Sequence, residues 1–170
     1  MLMQENIFIP LQMSNSYFVV PQEKFARLAK GRFGRFGSVD LATPNREHLG
    51  RGYKVPNGGV YSTPSDLSKF IGAELGFSRV LDANGLKTIQ TGEVHAGGEQ
   101  QYGLGLYIYH YDDKVMIHHD GSIAGYTAEM FFEKNSKYGA AIMCNYDAMN
   151  EIVAQCAQQL LEQLIQANGR

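Results

Sequence analysis

The C-terminal stretch of this chain demands a sheet to lie on. Ile152, Val153, Cys156, Ala157, Leu160, Leu161, Leu164 and Ile165 recur at spacings of three and four, while Gln155, Gln158, Gln159, Glu162 and Gln163 fill the opposite side, the pattern of an amphipathic helix. Asn150 is suited to cap it, and Glu151 complements the positive end of its dipole. So wide an apolar stripe must be covered, and the strand-like runs just upstream supply the surface. The fold class expected is α/β of the α+β type, an antiparallel sheet packed by a C-terminal helix.

Those runs begin after a turn at Gly97-Gly98. Residues 102–111 form the first strand, which returns through Asp112-Asp113 into residues 114–119. Two more follow at 126–133 and 138–146, joined by the polar turn Lys134-Asn135-Ser136-Lys137. Within 126–133, Ala128, Met130 and Phe132 alternate with Thr127, Glu129 and Glu133, as one buried face requires, and Phe131 interrupts the polar side.

Upstream the chain is less regular, so residues 1–170 divide into a loop-rich and helical part (1–95) and a part of strands plus the last helix (96–170), together one partial domain. The run Ile7-Phe8-Ile9-Pro10-Leu11-Gln12-Met13 stops at a proline, as a helix followed by a turn does. Residues 20–55 hold no period and are broken by Gly31, Gly34, Gly37, Pro44 and Gly50, which predicts loop with a helical turn at 23–29. Thr63 before Pro64 is a strong helix start, with Asp66 where a capping-box acid falls and Leu67, Phe70, Ile71 and Leu75 on one face. A second short helix is expected over 82–91, with Leu86 and Ile89 inward.

Bulk properties exclude several functions. A chain of 170 residues, 44% hydrophobic, is one globular unit with a real core. The segment Gly31-Arg32-Phe33-Gly34-Arg35-Phe36-Gly37 has the charge and rings of a nucleic-acid binder, but it is short and the whole chain carries a formal charge of -2. It reads instead as a surface loop with two anchoring phenylalanines, and no nucleic-acid partner is expected. No run approaches the roughly 20 apolar residues of a membrane span, and Met1-Leu2-Met3-Gln4-Glu5-Asn6 shows no export signal, which leaves the compartment open. Cys144 and Cys156 read as two buried thiols. His95, His110, His118 and His119 match no standard metal-ligand spacing, so neither a metal nor another cofactor is expected.

The phrases Gly58-Gly59-Val60-Tyr61-Ser62-Thr63-Pro64-Ser65-Asp66-Leu67, Tyr102-Gly103-Leu104-Gly105-Leu106 and His119-Asp120-Gly121-Ser122-Ile123-Ala124-Gly125-Tyr126, then a strand ending in Asn145 and the last helix, carry more than fold. In this order they resemble the C-terminal part of the serine β-lactamase, penicillin-binding protein and esterase superfamily, over residues 7–165. The run ending Pro10-Leu11-Gln12-Met13 is similar to the family's Pro-Leu-Gly-Met, with Gln12 in place of glycine. The resemblance implies a serine acyl-transfer site in which His119-Asp120-Gly121 is the His-x-Gly form of the Lys-Thr-Gly element. His119 would then project into the cleft near the general base, Gly121 would admit substrate backbone, and the Ser122 backbone N–H would serve an oxyanion hole.

Two elements of that chemistry have no counterpart in these residues. No Ser-x-x-Lys occurs, since Ser14, Ser16, Ser38, Ser65, Ser78, Ser122 and Ser136 all lack a lysine three residues on, and neither Tyr-x-Asn nor Ser-x-Asn is present. The expectation is a C-terminal fragment of a serine hydrolase, inactive by itself, which covers an open sheet edge with an N-terminal half or with a second copy. The alternative is a non-catalytic module that holds a peptide or partner strand in the same cleft.

Overall fold

A computed structural model of the chain describes residues 2–33, 38–39, 58–111, 113–123 and 125–168. Its centre is a six-stranded antiparallel sheet. Strands β3 (Val94–Gly97), β4 (Gln100–Tyr102), β5 (Tyr107–Tyr111), β6 (Lys114–Ile123), β7 (Tyr126–Glu133) and β8 (Tyr138–Cys144) lie side by side in chain order. A two-stranded ribbon, β1 (Arg32–Phe33) with β2 (Ser38–Val39), forms a second sheet, joined to the end of the first by a bridge between Arg32 and Tyr146. Helices α1 (Pro64–Glu74) and α2 (Ala83–Ile89) precede the sheet, and α3 (Asn150–Asn168) follows it. The antiparallel sheet packed by a C-terminal helix is as expected.

The sheet is covered on both faces. Ile71 and Leu75 of α1 pack with Leu106, Ile108, Ile117 and Phe132 on one face. Ala157 and Leu161 of α3 pack with Met116, Phe131 and Ala140 on the other. Each large apolar side chain removed from water this way contributes about 1.5–3 kcal/mol. A third cluster of Phe8, Leu11, Met13 and Ala73 fastens the N-terminal segment to α1.

Double coverage corrects the one-faced reading of β7. Thr127, Glu129 and Glu133 are buried under α3 beside Phe131, not exposed, because the pleat turns every odd residue toward that helix. Each has a partner: the Thr127 hydroxyl donates to the Tyr146 carbonyl at 2.7 Å, and Glu129 meets His118 Nδ1 at 3.3 Å. Glu133 accepts backbone N–H groups of Val115, Asn135 and Ser136, which tie off the β7–β8 turn. Burial pushes its carboxyl up, yet those donors more than offset it and hold the group below the ordinary range.

Other boundaries differ from expectation. Gly97-Gly98 does not precede the first strand; it turns β3 into β4. The single run 102–111 is two strands, because Gly103-Leu104-Gly105-Leu106 folds into a turn closed by Gly103 N–H on the Leu106 carbonyl at 2.9 Å. β6 runs on to Ile123 rather than ending at His119. Asn150 is the first helical residue of α3, not its cap. The apolar stripe of α3 also splits: Val153, Ala157 and Leu161 are buried on the sheet, but Ile152, Cys156 and Leu160 form an exposed row. Cys156 is therefore not a buried thiol and Cys144 is half-buried; both are free.

The N-terminal part follows its sequence closely. A π-helical turn, Gln4–Phe8, ends just before Pro10, and Gln12 stands at φ 56°, the left-handed backbone that the family's glycine would adopt without strain. A 3-10 turn over Gln22–Arg27 supplies the helical turn expected within 23–29. Of the two phenylalanines expected to anchor the 31–37 segment, Phe36 lies outside the described residues and Phe33 is described by its backbone alone.

Thr63 caps α1, its hydroxyl accepting the Asp66 N–H at 3.2 Å. The Asp66 carboxylate makes no reciprocal capping-box bond; it turns inward to residues 15 and 16. Asp82 caps α2 by accepting the Gly85 N–H at 2.7 Å. Among the described residues no helix is long and apolar enough to cross a membrane.

At the end of α1, Glu74 is 6% exposed and its carboxylate accepts from Gln90 Nε2 at 3.2 Å. Burial raises its pKa, so the folded state disfavours the charged form and stability falls as pH rises above the ordinary carboxylate value. Glu74→Gln keeps an oxygen for Gln90 and removes the charge. Near neutral pH it should raise the melting temperature by roughly 2–4 °C, the shift that about 1 kcal/mol gives a chain of this size, and thermal scans below about pH 4 should show no gain.

Candidate functional site

β6 outruns its neighbour on one side. Pairing with β5 stops at His118 opposite Tyr107, whereas pairing with β7 continues to Ile123, so residues 119–123 have a strand on one edge and none on the other among the described residues. Alternation puts His119 and Gly121 on the α1 face of the sheet, following Val115 and Ile117. Asp120 points the other way and accepts from Asn150 Nδ2 of α3 at 3.0 Å. That bond holds β6 from behind, between the two residues of interest.

This unpaired end opens into a cleft of about 940 Å³. His119, Gly121 and Ser122, the three residues singled out in the sequence, all line it, as do Ser62 and Asn145. A Cβ placed on Gly121 would meet nothing within 4 Å, so this position faces open space. The cleft also takes in Asn15, Tyr17 and Lys24, which sequence reasoning misses because a lone Asn, Tyr and Lys carry no spacing signal. Lys24 Nζ donates to Asn15 Oδ1 at 3.3 Å and lies 5.6 Å from the centre of the Tyr17 ring.

Polar bonds between distant segments build the walls. Tyr17 and Tyr61 pair through their backbones, and below them a relay runs inward. The Ser16 hydroxyl donates to Asp66 Oδ2 at 3.0 Å, which leaves the Ser62 hydroxyl as donor in the 2.8 Å contact between the two serines. Ser62 and Thr63 are thus a tie and a helix cap, as their turn position suggests. At the far end, residues 29–32 cross the ends of β6, β7 and β8 as a strap. Tyr126 Oη donates to the Ala29 carbonyl at 2.6 Å and accepts the Gly31 N–H at 3.2 Å, while Arg32 N–H reaches the Asn145 carbonyl at 2.9 Å.

His119 is held at its ring. The Tyr102 hydroxyl lies 3.3 Å from His119 Nε2, and the Tyr107 ring is centred 5.8 Å from the imidazole. Its neighbour His118 belongs to the other face, stacked on Phe131 at 4.5 Å and paired with buried Glu129. Adjacent histidines therefore divide between core and cleft, a split that strand alternation dictates.

An octameric penicillin-binding protein homologue from Pyrococcus abyssi has a similar fold, with a TM-score of 0.73 at 22% identity over 95% of this chain. The match takes in 36% of that structure's chain, so the present chain spans about a third of its length. No curated protein sequence matches. The family model Beta-lactamase matches residues 1–165, nearly the full length. A match of that extent, on an antiparallel sheet with its helix in place, shows that the chain belongs to the Beta-lactamase family of β-lactamase-related serine hydrolases.

Proposed function

We propose that this chain is the C-terminal part of a serine hydrolase that cleaves an amide or ester through an acyl-enzyme, and that it supplies His119, Gly121 and the Ser122 backbone N–H to a site completed by another polypeptide segment. The observation that carries this reading is the unpaired end of β6, whose His119 and Gly121 open into the cleft. Serine acyl transfer needs an activated nucleophile, and these 170 residues contain no Ser-x-x-Lys. The chain alone is therefore inactive in this reading. The completing segment docks on β8, whose outer edge pairs with no strand among the described residues, and on the exposed α3 row of Ile152, Cys156 and Leu160.

The test is reconstitution. The purified chain is assayed with a chromogenic ester and a cephalosporin, alone and with a family-derived segment of roughly 150–250 residues carrying Ser-x-x-Lys and Tyr-x-Asn. No burst alone, turnover on mixing, and a loss of about 10²–10⁴ in rate for His119→Ala would bear it out. A burst from the chain alone would overturn it. So would tight binding without turnover, which would make the chain a binding module, or assembly of the chain solely with its own copies.

Gly121→Ala gives a sharper reading within that assay. Its methyl group enters open space, so thermal stability should stay within about 1 kcal/mol of the parent. Because that space is the cleft, turnover by the reconstituted enzyme should fall at least about tenfold, from lost close approach of substrate backbone.

A further inference from the structure

We infer that Tyr102 is a positioning residue for His119: its hydroxyl donates to Nε2, fixes the imidazole as the Nδ1–H tautomer, and so leaves a neutral N–H donor for an oxygen acceptor in the cleft. The inference rests on the proposed role of His119, but its test does not. The two atoms are 3.3 Å apart. His119 lines the cleft and Tyr102 does not, so the bond ties the histidine to a residue behind the cleft wall and leaves Nδ1 as the ring nitrogen for a ligand.

The direction of the bond follows from the chemistry of its partners. A phenol is the better donor and an imidazole nitrogen the better acceptor, so O–H to N is favoured over N–H to O. The hydrogen bond at one ring nitrogen then decides which nitrogen carries the proton. An imidazole set this way offers a donor to a carbonyl or carboxylate oxygen without being protonated.

The sequence around Tyr102 is built to deliver it. Tyr102-Gly103-Leu104-Gly105-Leu106 folds back on itself between β4 and β5. A Cβ on Gly103 would lie 2.3 Å from the Thr91 carbonyl oxygen, so backbone must pass where a side chain would be. The turn sets the Tyr102 ring edge-on to Tyr107 at 4.6 Å. Tyr107 in turn lies 5.1 Å from His118 and 5.8 Å from His119. The tyrosine is thus clamped before it meets the histidine.

The test is nitrogen NMR of the histidine-labelled chain, above the pH at which its imidazoles lose their second proton and with no substrate present. In the unaltered protein, His119 should show a protonated Nδ1 and an unprotonated Nε2. Tyr102→Phe, which keeps the ring packing, should lower the ratio of Nδ1–H to Nε2–H tautomers by about 2- to 10-fold, the range one net hydrogen bond supports. His118, held by Glu129 and Gln100, should keep its signals and so report an intact sheet. An Nε2–H tautomer in the unaltered protein would overturn the inference even if the variant failed to fold. An unchanged ratio in a folded variant would overturn it too. If the tautomer shifts as expected but reconstitution yields no turnover, the functional reading falls and the tyrosine–histidine bond stands.

Discussion

Asp66→Ala should lower the melting temperature by roughly 5–15 °C, the equivalent of about 2–4 kcal/mol in a chain of this size. Asp66 is 1% exposed and its carboxylate satisfies three donors: the Asn15 N–H at 2.8 Å, the Ser16 hydroxyl at 3.0 Å and Lys69 Nζ at 3.1 Å. Truncation strands them all, although half-exposed Lys69 can turn to water, which keeps the cost below that of a fully buried ion pair. Burial pushes the carboxyl up, but the Asn15 amide, Lys69 and Ser16 together hold it below the ordinary range. A depressed folded pKa stabilises above the unfolded value, near 3.9, and that stability is lost as pH falls through the folded value. The gap between the parent and Asp66→Asn should therefore close as pH drops below about 4. Hydrogen exchange at the Asn15 amide should quicken in both variants, since the carboxylate also pins the cleft wall. Unchanged melting would mean that the three donors find water at no cost.

The strands around residues 126–144 and the C-terminal helix were legible because their patterns are local: alternation in β7 and spacings of three and four in α3 lie within one element. The features that local pattern hides depend on neighbours. Glu129 and Glu133 look like a solvated face until α3 is laid over them. Ile152, Cys156 and Leu160 look like core because spacing alone does not tell which part of a wide stripe meets the sheet. Asp66 looks like a capping acid because its true partners are 50 and 51 residues away. In the cleft, His119, Gly121 and Ser122 were visible through a short phrase, whereas the bond from Tyr102 joins residues on strands with β5 between them. Gly103 and Gly105 lie within a run of apolar residues whose composition reads as strand, although the chain turns there.

Gly125 is where one added carbon should do the most damage near the cleft. Gly125→Ala should cost about 3 kcal/mol or more, a fall of roughly 6–12 °C in melting temperature. Two effects add. The residue sits at φ 90°, which an L side chain adopts only with strain. Its Cβ would also lie 3.0 Å from the Arg32 nitrogen and 3.1 Å from the Gly31 backbone, and backbone cannot swing aside as a flexible side chain can. Gly105 separates the two contributions, because its φ of 89° is nearly the same while its Cβ would meet nothing within 4 Å. Gly105→Ala should thus show the strain alone, about 1–3 kcal/mol, and the excess in Gly125→Ala measures the press of the strap on the end of the sheet. Because residues 29–32 close one end of the cleft through Tyr126 and Asn145, the strap amides should also exchange faster in Gly125→Ala and not in Gly105→Ala. Equal losses in the two variants would show that the strap yields freely, and that the cleft is walled on that side by a segment able to move with what it binds.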